Sequence, residues 1–215
     1  FDIENNDSDV SRSDLEKTIE EVDQGAEIIE IESVGTKVAE GTIRNSVIAV
    51  SVASLFVMLY VLYAFRRLEK SHRFAFSAVL TLIHDVILVT GIYALLGHIF
   101  GLQVNSVFIV ALLTVIGYSV NDTIVIFDRI RENQIKFPDN NYAANINISI
   151  NESIIRSVGT SLTTLLVLFS MLILGGASLR EFIVVLILGV IVGTYSSIFI
   201  ASQFLIIWEE GFKKN

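Results

Sequence analysis

Five nearly unbroken apolar stretches, 46–65, 75–97, 107–127, 154–174 and 182–207, set the rhythm of the chain. Each is about 20 residues long, which at 1.5 Å rise per residue matches the roughly 30 Å hydrocarbon layer of a bilayer. The pattern predicts an all-α membrane domain, a five-helix transmembrane bundle over residues 46–215. A transmembrane β-barrel would instead show segments of roughly ten residues alternating apolar with polar, and there are none. The polar intervals are short. Arg66, Arg67, Lys70 and Arg73 follow the first stretch, and Asp128, Arg129, Arg131 and Lys136 follow the third. Residues 137–150, rich in asparagine and holding the only proline, Pro138, read as a loop with an interfacial turn or helix. Trp208 closes the last stretch as an interfacial anchor.

Residues 1–45 follow another pattern. Ser13 and Glu16 have capping-box spacing, Leu15, Ile19 and Val22 form one helical stripe, and 27–32 alternates acid with isoleucine as a half-exposed strand would. One helix and one strand cannot bury a core alone. The segment is therefore expected to be a remnant of an α+β domain, with a disordered acidic tail as the alternative. The chain opens on Phe1 without a signal-like segment, so it is expected to be the back part of a longer protein.

Composition supports the membrane reading, with 53% hydrophobic and 18% charged residues where soluble domains carry about 25% charged. Charge divides the chain. Residues 1–45 hold 13 acids against 4 bases, while the remainder is nearly balanced although the whole carries −8. No basic patch argues for nucleic acid. The absence of cysteine excludes disulfides and thiolate metal sites, and nothing calls for a cofactor. Cationic residues cluster at alternate loops: after the first span, after the third, and at Lys213 and Lys214. The positive-inside rule makes those ends cytoplasmic and the acidic N-terminal piece extracytoplasmic.

Ionisable residues inside the spans are the candidates for chemistry, because a charge in hydrocarbon is costly unless it faces a partner or water. Asp122 lies roughly 22 Å from the outer edge of the third span and Arg156 roughly 27 Å from the same edge of the fourth, so the two reach similar depth. Asp85, beside His84, lies roughly 18 Å deep on the second span. The functional reading is a proton relay, with Asp122 loaded or emptied as Arg156 moves; the structural alternative is a fixed ion pair joining two helices. Asn121 flanks the acid, and Thr160, one turn from Arg156, is placed to orient it. Asp85 and His84 are also candidates, or else hydrogen-bonded packing residues. Gly189, Gly193, Ser197 and Ala201 recur every four residues, a small-residue stripe that lets helix backbones approach.

Residues 117–133, GYSVNDTIVIFDRIREN, resemble the SecF family of the bacterial protein-export machinery. So do Ala78–Leu96 around His84-Asp85, Arg156–Thr164, and Gly189–Ser202, and the likeness extends from about Glu30 to the end. It implies a bundle of the RND type with the remnant of an extracytoplasmic domain, in the inner membrane. It implies a partner, SecD, separate or fused, placed beside the SecYEG channel, and use of the proton-motive force to help a preprotein across. The family's proton-path aspartate falls on Asp122 and its essential arginine on Arg156. Three features depart from the family: no earlier span with a Gly-Gly motif, Val34-Gly35-Thr36 in place of Val-Gly-Pro, and Gly159 where an aliphatic residue usually precedes Thr-Ser.

Two rivals remain at this point. Asp85 and Asp122 on adjacent spans suggest an intramembrane aspartyl protease, although no Gly-x-Gly-Asp surrounds either acid. A non-transporting assembly factor would use Asp122 and Arg156 as a structural lock.

Overall fold

The computed structural model describes residues 36–66, 71–102 and 104–211. The expectation for residues 1–45 falls almost wholly on residues 1–35, outside the described ones. Helix α1 spans Thr36–Ala64, α2 Ser71–Phe100, α3 Ser106–Lys136 and α4 Tyr142–Leu174; a 3₁₀ turn at Ala177–Leu179 leads into α5, Arg180–Ser196, a π-turn at Ser197–Ala201, and α6, Ser202–Gly211. Among the described residues five helical stretches are long and apolar enough to cross a membrane, the last made of α5, the π-turn and α6 together. The protein is an all-α, multi-pass membrane bundle.

The helices overrun the apolar stretches. Helix α1 begins at Thr36 rather than near Ser46, and α3 continues to Lys136 rather than ending near residue 127. Residues 137–150, expected as a loop with an interfacial turn or helix, are helix from Tyr142 onward, where α4 starts. That amphipathic extension has a polar reason to fold. Asn133, buried on α3, donates to Ser149 Oγ at 3.0 Å and Glu152 Oε2 at 2.8 Å, and Asn145 donates to the Phe137 carbonyl at 2.9 Å. The asparagines that looked like loop formers instead zip α3 to α4 beyond the apolar segments. At the other end Gly101 takes φ +73°, a left-handed conformation that costs a side-chain residue strain, and ends α2. Asn105 then caps α3 by accepting from the Phe108 amide at 3.0 Å.

Helix α3 is the hub, packing against each of the other long helices. The core is layered along it. One apolar layer gathers Phe65, Phe74 and Phe127 with Ile130 and Leu205; its rings stack at 5.2 Å and meet edge to face at 5.3 Å. A second gathers Tyr93, Phe108, Val115 and Val185. Between them lies a belt of buried polar groups: Asp85, Ser119, Thr123, Ser196 and Ser197. In lipid, where apolar burial drives little helix association, such close packing and interhelical hydrogen bonds carry the assembly.

Candidate functional site

Two polar seams run along neighbouring faces of α3, because residues 118 and 122 share one face while 119 and 123 share the next. The first seam joins α3 to α2 and α5. Asp85, 2% exposed, accepts a hydrogen bond from Ser119 Oγ and lies 3.1 Å from His84 Nδ1. The Ser196 hydroxyl approaches the same carboxylate from α5. Thr123 Oγ1 and Ser197 Oγ share a 2.8 Å hydrogen bond, and Ser197 also donates to the Ser119 carbonyl at 3.3 Å. The small residues of α5 make this closeness possible. A methyl group on Gly189 would overlap the side chain of Val115, and one on Gly193 would sit 3.0 Å from Ser119 Cβ. Gly189, Gly193 and Ser197 thus stack on Val115, Ser119 and Thr123, step for step. Ala201, the last of the four-residue spacing, is buried in the π-turn.

The second seam joins α3 to α4 and, through Thr194, to α5. Asp122 Oδ1 accepts from Ser157 Oγ at 2.7 Å, while its Oδ2 is buried without a hydrogen-bond partner. Ser157 sits in a ladder of hydroxyls: Ser161 Oγ donates to the Ser157 carbonyl at 2.9 Å, shares a 2.5 Å hydrogen bond with Thr194 Oγ1, and accepts from Tyr118 at 3.1 Å. The Asp122 carboxylate thus has one bonded and one orphaned oxygen beside a row of hydroxyls.

The structure brings some of the sequence candidates together and keeps others apart. Asp85 and Asp122 lie on different seams, so they do not form the facing pair an aspartyl protease needs. Arg156 is exposed, and among the described residues no ion pair joins it to Asp122; the neighbouring Ser157 makes that contact instead. Thr160 donates to the Arg156 backbone carbonyl at 2.9 Å rather than accepting from its guanidinium. Asn121 is exposed on the outer face of α3. Ser157, Tyr118, Ser119 and Thr194 were not singled out in the sequence, although Ser119 precedes Asp122 by three residues and Ser157 follows Arg156 directly.

The family described as "Protein export membrane protein SecD/SecF, C-terminal" matches residues 14–211. The protein translocase subunit SecF of Thermobaculum terrenum is 42% identical over 177 residues, covering 82% of this chain and 56% of that protein. The protein translocase subunit SecDF of Thermus thermophilus is 41% identical over 202 residues, covering 94% of this chain and 26% of that one. A crystal structure of SecDF from the same genus, described as a translocon-associated membrane protein, superposes with a TM-score of 0.80 over 94% of this chain and 27% of that chain, at 41% identity. The chain therefore spans about half the length of the SecF subunit that it resembles.

Proposed function

The chain belongs to the SecD/SecF protein-export family, and from that premise we propose that it is the SecF-type membrane part of a proton-driven translocase. Its partner is SecD, as a separate or fused chain; together they stand beside the SecYEG channel in the inner membrane and help draw a preprotein across. The ends that carry Arg73 and Lys136 face the cytoplasm, following the positive-inside rule, and the acidic N-terminal segment faces the other side.

The observation that carries this reading is the orphaned Oδ2 of Asp122. A buried carboxylate oxygen without a donor is costly as an anion, and the cost disappears when the group is protonated or a cation approaches. In the proposed cycle Asp122 takes a proton while Arg156 is turned outward, as here, and releases it when the guanidinium swings in to bond the carboxylate. Ser157 holds the acid in place throughout, and Asn121 and Thr160 shape the entrance. Asp85 is a second acid of the relay.

The test replaces Asp122 by Asn and Arg156 by Met in the full-length protein with its partner, scoring assembly and export separately. The relay reading expects assembled complexes that have lost proton-dependent export. Undiminished export with Asp122→Asn would sink it. Failure of assembly in both variants would point to a structural lock, a reading weakened by the absence of an Asp122–Arg156 ion pair.

A further inference from the structure

Helix α2 carries a ridge of polar residues that the Asp122 site does not use. Arg73, Ser77, Thr81 and Asp85 recur every four residues, the spacing of a helix-packing ridge. Three of them are sealed in the bundle: Ser77 is 0%, Thr81 1% and Asp85 2% exposed. The ridge packs on α6, on the π-turn and on α5. At one end Arg73 pairs with Glu209 of α6, both side chains largely covered, and Phe76 meets Trp208 edge to face at 5.1 Å beside them. At the other end Asp85 meets Ser119 and Ser196. From Arg73 to Asp85 the ridge climbs about 18 Å at 1.5 Å per residue, which carries it from the membrane boundary to mid-bilayer.

Thr81 spends its hydroxyl hydrogen on the Ser77 carbonyl at 2.8 Å and keeps lone pairs to accept. The Ser77 hydroxyl is buried and makes no hydrogen bond at all. A buried hydroxyl with neither donor nor acceptor is costly, and water in the seam relieves that cost. The buried polar groups at both ends of the ridge give such water further partners.

We propose that the ridge Arg73–Ser77–Thr81–Asp85, gated at its mouth by the Arg73–Glu209 pair, is a water-bearing path that carries protons from Asp85 out to the end of the bundle opposite Asn105. It rests on the reading of the protein as proton-coupled and adds a route to it, separate from the Asp122 seam. A proton leaving the Asp85 carboxylic acid passes along the path to bulk water by exchange of O–H bonds, each water or hydroxyl taking one proton and giving up another. The path is left unchanged, and breaking the O–H bond on Asp85 restores the charge of its carboxylate. The π-turn places Ser196 and Ser197 where that change is felt by α5 and, through Thr123 and Ser119, by α3.

The chain has no cysteine, so single-cysteine labelling gives a clean test in the full-length protein assembled with its partner in vesicles. A thiol reacts only as the thiolate, which forms where water reaches and is suppressed in apolar surroundings, so Ser77→Cys should react with a small cationic thiol reagent on the order of tenfold faster than Ala78→Cys. Ala78 is the dry control, one residue away and packed in the apolar layer. In the same vesicles Ser77→Val should slow proton uptake several-fold. Where Ser77→Val fails to assemble, Thr81→Val, the same shape without the hydroxyl, carries this arm. Equal labelling at positions 77 and 78 overturns the path. So does rapid labelling with proton uptake unchanged by the valine variants, which makes the water a dead end. If those variants are silent while Asp122→Asn stops proton uptake, only the path falls. If none of them alters proton uptake, the proton-coupled reading falls with it.

Discussion

The two seams on α3 solve the same problem differently. Both hold a carboxylate among hydroxyls inside a bundle where unpaired polar groups are expensive. On the seam with α2 and α5, glycines bring the backbones close, and Ser119 and His84 occupy the two Asp85 oxygens. On the seam with α4 the carboxylate has one donor and one orphaned oxygen, and beside it Asn121, Arg156 and Thr160 are exposed. The glycines repeat the contrast: Gly189 presses on Val115, whereas nothing lies within 4 Å of a methyl group built on Gly117 or Gly159. A satisfied seam holds helices together, and an unsatisfied one retains the freedom to change partners. The difference lies between a carboxylate whose partner positions are filled and one with a position left open.

The contrast breaks most visibly at Gly189. Leucine there has no space beside Val115 and should prevent a stable bundle from forming. Alanine, the mildest overpacking, should cost about 1–3 kcal/mol, read as a lowered melting temperature in detergent. Gly117→Ala on the open face should be neutral, or stabilising by roughly 0.5–1 kcal/mol because alanine favours the helix. Equal losses at positions 117 and 189 would mean that the face with Asn121 is as tightly filled as the other.

Next in size is Asp85→Ala, which leaves Ser119 and His84 facing an empty buried space. One stranded polar group costs about 1–3 kcal/mol, so thermal stability should fall while Asp85→Asn, which keeps an acceptor, recovers most of it. If Asp85→Ala melts like the parent protein, the closed seam is not held by its hydrogen bonds.

These residues also show how far the sequence could be read. Span number was legible because bilayer thickness fixes the length of an apolar run, whatever the helices pack against. Helix ends were not, because the asparagines at 133, 140 and 145 find partners across the α3–α4 hairpin, and a turn-forming composition is outvoted by those long-range bonds. That residues 122 and 156 reach a similar level along the bundle was legible, since rise per residue is constant. Direction was not. Adjacent helical residues point about 100° apart, so Ser157 meets Asp122 while Arg156, one position earlier, faces outward. The π-turn left no signature in the sequence, and its three buried residues, Ser197, Ile198 and Ala201, are apolar or small in the manner of any packed helix.

Asp122→Asn should do to stability much less than Asp85→Ala, under about 1 kcal/mol, because the amide oxygen still accepts from Ser157 and the orphaned position gains no clash. Its effect belongs to transport, where loss should be near complete. Ser157→Ala sharpens the distinction. It frees the acid to move, so export should drop partially while assembly persists, and a Ser157→Thr variant that retains the hydroxyl should restore it. Ser157→Ala with full export would mean that the hydroxyl does not position the acid.

The smallest effect is expected where α3 and α4 emerge beyond their apolar segments. Arg129 bonds Glu132 at 2.5 Å and Glu152 at 2.7 Å, contacts that look as strong as anything in the bundle. Yet Arg129 is 38% exposed, with Glu132 at 58% and Glu152 at 37%, so water competes for every one of these bonds and salt screens the remainder. Exposed pairs of this kind contribute little to stability. Arg129→Gln should therefore shift the melting temperature little, and the shift should vanish in high salt. Asn133 is the better anchor of this hairpin, since its amide is buried at 1% exposure and serves both Ser149 and Glu152; Asn133→Ala should cost more than Arg129→Gln in the same assay and stay insensitive to salt. A reversed order would show that the hairpin is held by its charges and not by its satisfied buried amide.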